Sequence, residues 1–104
     1  MKIELLYFEN CPNSKPALEL LQDVIRQEGL NFPVQSIAVE TLDDAEKHRF
    51  PGSPTIRIDG LDVEGEVRYP FGLGCRIYLV DGNTHYWPPR KWIEEAIRKR
   101  RDSR

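Results

Sequence analysis

The chain has 104 residues, of which 39% are hydrophobic, and a formal net charge of −2. These values predict one domain over residues 1–104 with a modest core and do not indicate a nucleic-acid-binding protein. No stretch approaches the ~18 apolar residues of a membrane-spanning helix, and no signal-peptide pattern opens the chain. We therefore expect a cytoplasmic protein with neither nucleic acid nor membrane as a partner. Residues 98–104 are mostly basic and are interpreted as a frayed, solvated tail.

The first half of the chain alternates predicted strands and helices. An apolar run predicts a strand over residues 2–8, and apolar residues at helical spacing predict a helix over 14–28. A second strand is predicted over 34–39, after Pro33. A capping-box pattern begins a short helix over 42–49.

The second half is predicted to contain mostly strands. A third strand over residues 55–59 and a short strand over 61–63 flank an Asp-Gly turn, and an irregular loop over 64–74 follows. Ile77 and Leu79 alternate with Arg76 and Tyr78, which predicts a strand over 75–80 that pairs with residues 84–87. Two prolines then open the last helix.

This order predicts an α/β fold. A central mixed sheet of about four strands is flanked by three helices, and an additional β-hairpin is inserted before the last helix. The β-α-β start requires a parallel pair of strands.

Cys11 lies at the junction of the first strand and the first helix, and Pro12 follows it directly. Backbone N–H groups and the helix dipole favour the thiolate at such a position, which makes Cys11 a candidate nucleophile. The alternative is a small buried apolar residue, because free cysteine is often interior.

Ser53, Pro54 and Thr55 directly precede the third strand. Together with the element order and the position of Cys11, they resemble the thioredoxin and glutaredoxin families over roughly residues 2–65 and the last helix. The resemblance implies a thioredoxin-like fold and a cis peptide bond before Pro54. It also implies a substrate-binding role for these three residues, with Pro12 beside them.

The chain departs from thioredoxins at Ser14, which stands where their second active-site cysteine lies. A hydroxyl cannot expel a mixed disulfide as that second thiolate does. Ser14 is expected to donate a hydrogen bond to the Cys11 sulfur or to cap the helix. Resolution would then fall to Cys75, the other cysteine, or to glutathione. Arg76 is expected to favour the Cys75 thiolate.

Whether Cys75 reaches Cys11 depends on the topology, and the sequence leaves two alternatives. If residues 61–64 form a returning strand, residues 65–74 could lie beside the Cys11 loop. If the chain runs from Asp59 directly to a long strand at Cys75, that cysteine starts at the far end of the sheet. In a non-functional alternative, Cys75 packs in the core.

We therefore predict a thiol–disulfide exchange protein of glutaredoxin or thioredoxin type. Cys11 would attack a disulfide-bearing or glutathionylated protein or a small thiol derivative, with glutathione as a potential co-substrate and no other cofactor. An alternative is a binding module without turnover, for a protein or for a soft metal such as Hg(II) or Cu(I). A third, mercurial processing, follows only from the alkylmercury-lyase names of some similar bacterial proteins. His48 and His85 lack ligand spacing, so no metal site is predicted from them.

Overall fold

The computed structural model describes residues 1–66 and 70–102, which form a mixed α/β fold. Its elements in chain order are β1 (Ile3–Tyr7), α1 (Ser14–Gln27), β2 (Val34–Ala38), α2 (Leu42–Lys47), β3 (Thr55–Ile58), β4 (Leu61–Asp62), β5 (Tyr78–Val80), β6 (Asn83–His85) and α3 (Arg90–Asp102).

The main sheet has four strands in the order β2-β1-β3-β4. β1 pairs in parallel with β2 and antiparallel with β3, and β3 pairs antiparallel with β4. β5 and β6 form a separate antiparallel hairpin before α3. The predicted mixed sheet, the three helices and the additional hairpin are therefore confirmed, as is the parallel β1–β2 pair.

The alternation of side chains along β1 divides the core between the two faces of the sheet. Ile3 and Leu5 lie in one cluster with Ile56 and Ile58 of β3, and the buried stripes of α1 and α3 complete it. Leu6 faces the other way, in a smaller cluster that includes residues of α2 and the segment after it. β1 thus lies between two packed layers.

The strand predicted over residues 75–80 is shorter, because only Tyr78–Val80 pair with β6. Its side chains are also unusual for a strand. Arg76 and Tyr78 are buried, whereas Ile77 and Leu79 are 52% and 67% exposed. The charged residue faces inward because partly buried acidic partners lie there, as described below.

The basic tail is not frayed over residues 98–102, which continue α3. Arg98 and Arg101 form ion pairs with Glu28 at the end of α1, and Arg100 pairs with Asp59. These contacts attach the end of α3 to the rest of the fold, although the three arginine side chains stay 40–52% exposed. Residues 103 and 104 lie outside the described residues, as do residues 67–69 of the predicted loop over 64–74. Within the described ranges, no helix is long and apolar enough to cross a membrane.

Candidate functional site

Cys11 is held in a tight turn between β1 and α1. Its N–H donates to the Phe8 carbonyl at 3.1 Å, and its own carbonyl accepts from the Ser14 N–H at 3.4 Å and the Ser14 hydroxyl at 3.0 Å. The single hydroxyl hydrogen of Ser14 is therefore used by the backbone and not by the Cys11 sulfur. Asn13 is the N-cap residue, but its side chain makes no capping hydrogen bond. Cys11 is 6% exposed, and Pro12 next to it is exposed.

The Ser53–Pro54 loop packs beside this turn. Its peptide bond is cis, the isomer that the resemblance implies. The Ser53 hydroxyl accepts a hydrogen bond from the Phe8 N–H at 3.4 Å, and the Thr55 hydroxyl donates to the Gly52 carbonyl at 2.7 Å. Ser53, Pro54 and Thr55 are all buried, so the three predicted substrate-binding residues are covered by protein.

The cover on Ser53 is the segment of residues 74–76, which we call the covering segment. The Ser53 N–H donates to the Gly74 carbonyl and the Arg76 N–H donates to the Ser53 carbonyl, both at 2.9 Å. These bonds make a parallel bridge between Ser53 and Cys75. Both backbone groups of Ser53 are thus paired within the chain.

Gly52 permits this close approach. A Cβ atom at this position would lie 3.0 Å from the Arg76 Cβ and 3.2 Å from the Gly74 carbonyl oxygen. Its φ of +139° is also one that glycine adopts without strain. Any larger residue would push the covering segment away from Ser53.

The covering segment places Cys75 beside Cys11. Burial raises the pKa of the Cys75 thiol, and the charge and side-chain hydrogen bond of Cys11 raise it further. Because Cys75 is exposed as a residue, water moderates these effects. The prediction that Arg76 favours the Cys75 thiolate is wrong, because the pKa shifts upward and the Arg76 guanidinium is occupied elsewhere. Both cysteines are free thiols.

Arg76 anchors the covering segment through a buried cluster of polar side chains. It is 2% exposed and forms a two-pronged ion pair with Asp62, at 2.7 and 3.0 Å. It also donates to Glu64 at 2.7 Å and to the Thr55 hydroxyl at 3.0 Å. Burial alone would lower the pKa of Arg76, but its hydrogen bonds and ion pairs with these carboxylates raise it.

Tyr78 completes this anchor. The Arg76 guanidinium lies over its ring, 4.4 Å from the centroid, and its hydroxyl donates to the Pro54 carbonyl. Burial raises the pKa of Tyr78, so its hydroxyl stays protonated as a donor. The residues around the Cys11 turn are therefore joined to β4 and to the start of the hairpin.

Of the two topologies left open by the sequence, the structure has the one with a returning strand at β4. It brings Cys11, Cys75 and Ser53 together, with Ser14 and Pro54 close to them along the chain. Sequence reasoning missed the residues that hold the covering segment, namely Gly52, Asp62, Glu64 and Tyr78. The available signal was the alternation of Arg76 and Tyr78 in the predicted strand, because an arginine that faces inward is almost always paired.

Comparison of the chain with protein-family models, with curated proteins and with solved structures finds no match in any of the three. Among the described residues, no group of three or more His, Cys, Asp or Glu side chains is arranged to hold a metal ion.

Proposed function

We propose that this protein is a two-cysteine thiol–disulfide exchange protein built on a thioredoxin-like fold. The observation that carries the proposal is the bridge between Ser53 and Cys75 beside the Cys11 turn, which brings Cys75 close enough for Cys11 to raise its pKa although the two cysteines are far apart in the chain. The mixed sheet, the cysteine after β1 and the cis peptide bond before Pro54 support the fold assignment. We place it in the cytoplasm, where thiols are kept reduced and disulfides are usually transient and catalytic.

The proposed reaction has two exchange steps. The Cys11 thiolate attacks a disulfide RSSR, forms a mixed disulfide Cys11–S–S–R and expels one RS⁻. The Cys75 thiol then loses its proton and attacks the Cys11 sulfur, which forms the Cys11–Cys75 disulfide and expels the second RS⁻. The substrate disulfide is reduced by two electrons and the protein is oxidised by two. Two equivalents of a thiol such as glutathione would return the protein to the dithiol.

Cys11 and Cys75 have different proposed roles. Burial, and then the charge and side-chain hydrogen bond of Cys11, raise the pKa of Cys75, which fits Cys75 as the thiol that reacts second. Cys75 would then act as the resolving thiol that Ser14 cannot provide. Ser14 instead holds the Cys11 backbone, and Ser53, Pro54 and Thr55 hold the covering segment.

The test is mild oxidation of the reduced protein with glutathione disulfide, followed by alkylation, intact mass and peptide mapping. We expect a Cys11–Cys75 disulfide in the wild type and a stable glutathione adduct on Cys11 in Cys75→Ser. We expect Cys11→Ser to react much more slowly at neutral pH. Two free thiols in the wild type, or adduct formation unaffected by Cys11→Ser, would contradict the proposal.

The same pair of sulfurs supports a second candidate function, which is binding of a soft metal ion between two thiolates. Two neighbouring cysteine sulfurs suit Hg(II) or Cu(I), which accept low coordination numbers and prefer thiolate ligands. This function predicts one ion per chain, lost in both Cys11→Ser and Cys75→Ser. A wild type that binds such an ion tightly but never forms the disulfide would favour it over exchange.

A further inference from the structure

We infer that the site acts on small disulfides and not on cysteines within extended polypeptides, because the chain's own covering segment occupies the place where a substrate backbone would pair. The inference rests on the proposed function only in that Cys11 is the attacking thiolate. The position of the covering segment is independent of any redox activity.

Recognition of an extended peptide by strand addition requires unpaired backbone N–H and C=O groups at a sheet edge. Beside the Cys11 turn, such groups would come from Ser53, the loop residue that contacts Phe8 of that turn. Both are already used, since the Ser53 N–H donates to Gly74 and the Ser53 carbonyl accepts from Arg76. β1 is not available either, because β2 and β3 pair with its two sides.

Displacing the covering segment would be costly. Its Arg76 is fixed by Asp62, Glu64 and Thr55 in a buried cluster. Removal of the segment would leave the partly buried carboxylates of Asp62 and Glu64 without this guanidinium, which is an unfavourable change. An incoming peptide would have to replace two backbone hydrogen bonds and these ion pairs together.

The covering segment also presents its own cysteine to Cys11. Cys75 lies opposite Ser53 in the bridge and interacts with the Cys11 side chain, so it takes the place that a substrate cysteine on a paired peptide would take. Cys11 is only 6% exposed. A slender disulfide is therefore the class of substrate that can approach the Cys11 sulfur while the covering segment stays in place.

In the proposed step the Cys11 thiolate attacks the small disulfide RSSR and expels RS⁻, and Cys75 then expels the second RS⁻. Both electrons pass to the substrate, and the protein keeps the Cys11–Cys75 disulfide. The covering segment can stay paired with Ser53 during this step, because in that position Cys75 already interacts with the Cys11 side chain.

The first test compares mixed disulfides that share one coloured leaving group, 5-thio-2-nitrobenzoate. One carries mercaptoethanol, one carries N-acetylcysteine amide, and one carries an extended peptide with a central cysteine. We expect the peptide to react with the wild type at the same rate constant as the capped amino acid or more slowly. A peptide that reacts roughly fivefold faster or more, the gain expected from even one net hydrogen bond, would overturn the inference.

Hydrogen exchange of individual amides provides a test that does not depend on redox chemistry. The Ser53 and Arg76 amides should exchange far more slowly than in an unstructured peptide, in the dithiol form and without substrate. If both amides exchanged at unprotected rates, the backbone of Ser53 would be accessible to a substrate peptide, which would overturn the inference. Absence of leaving-group release from the wild type, with both amides protected, would instead reject only the proposed function.

Variants that weaken the contacts of Arg76 should release the covering segment and leave the backbone groups of Ser53 unpaired. In Arg76→Ala we expect faster exchange of the Ser53 amide and a higher ratio of peptide to small-disulfide reactivity. Glu64→Gln is a milder variant for use if Arg76→Ala does not fold, because it leaves Asp62 and Thr55 as partners of Arg76. A folded variant with an unprotected Ser53 amide and an unchanged reactivity ratio would contradict the inference.

Discussion

The surroundings of Cys75 change the ionisation of its thiol, and this change can be measured. Burial and the neighbouring Cys11 raise the pKa of Cys75, so less of it is thiolate at neutral pH than for an ordinary cysteine. Replacement of Cys11 by serine removes the neighbouring charge. We therefore expect alkylation of Cys75 in Cys11→Ser to be faster at neutral pH, with its pH–rate curve moved to lower pH. Peptide-resolved alkylation with iodoacetamide measures this curve.

The control for this prediction is Cys11→Ala, which lacks both the sulfur and the replacement hydroxyl. If the Cys11 sulfur is responsible, both variants should move the Cys75 curve in the same direction. An unchanged curve, or a shift to higher pH in both variants, would show that Cys11 does not influence Cys75 in solution.

The connection between β3, β4 and the start of the hairpin depends on one buried arginine. Arg76 joins Thr55 of β3 to Asp62 of β4, and its side chain is almost fully buried. Asp62→Asn keeps the shape but removes the charge, so Arg76 retains only the Glu64 carboxylate of the two. We expect the free energy of unfolding in urea to fall by about 1–3 kcal/mol. Closure of the Cys11–Cys75 disulfide should also slow, because Cys75 is held less firmly.

The exposed pair of Lys91 and Glu95 on α3 supplies the control for this prediction. Both side chains are largely solvated and 3.9 Å apart, so Lys91→Gln should change the free energy of unfolding by less than about 0.5 kcal/mol. Equal losses in Asp62→Asn and Lys91→Gln would mean that burial adds nothing to the Arg76 ion pair.

The sequence predicts the elements well because periodicity reports which side of each segment is buried. The stripe of α1 and the alternation along β1 are local patterns, and their bounds agree with the structure to within about two residues, as expected for element ends. The cysteine at the β1–α1 junction could be found in the same way, because a strand, a cysteine and a helix follow one another directly.

The position of Cys75 could not be predicted, because it depends on contacts between distant residues. Arg76 pairs with Asp62 and Thr55, which lie 14 and 21 residues before it, and the glycine-rich loop between them has no periodic pattern. The alternation around Ile77 indicated a strand but not which face is buried. Hydrophobicity alone would have buried Ile77 and Leu79, whereas the ion pairs bury Arg76.

Two acidic groups at the surface also hold α3 in place, one against the sheet and one against α1. Hydrogen bonds from the Lys2 backbone and from Arg100 hold the pKa of Asp59 below its ordinary value. Arg100 belongs to α3 and Asp59 to the turn after β3. The end of α3 is therefore attached to the sheet by a contact that weakens when the carboxylate is protonated, and a related contact attaches it to α1.

At the α1–α3 contact, hydrogen bonding from Arg98, with Arg101 nearby, lowers the pKa of Glu28. A carboxylate whose pKa is lower in the folded state adds stability at pH values above its unfolded pKa, about 4.3. That stability is lost as the pH falls through the folded pKa. We therefore expect thermal unfolding of Glu28→Gln to depend less on pH below about pH 5 than that of the wild type. Glu95→Gln, a change in an exposed pair, should keep the wild-type dependence; the same acid sensitivity in Glu28→Gln would contradict the prediction.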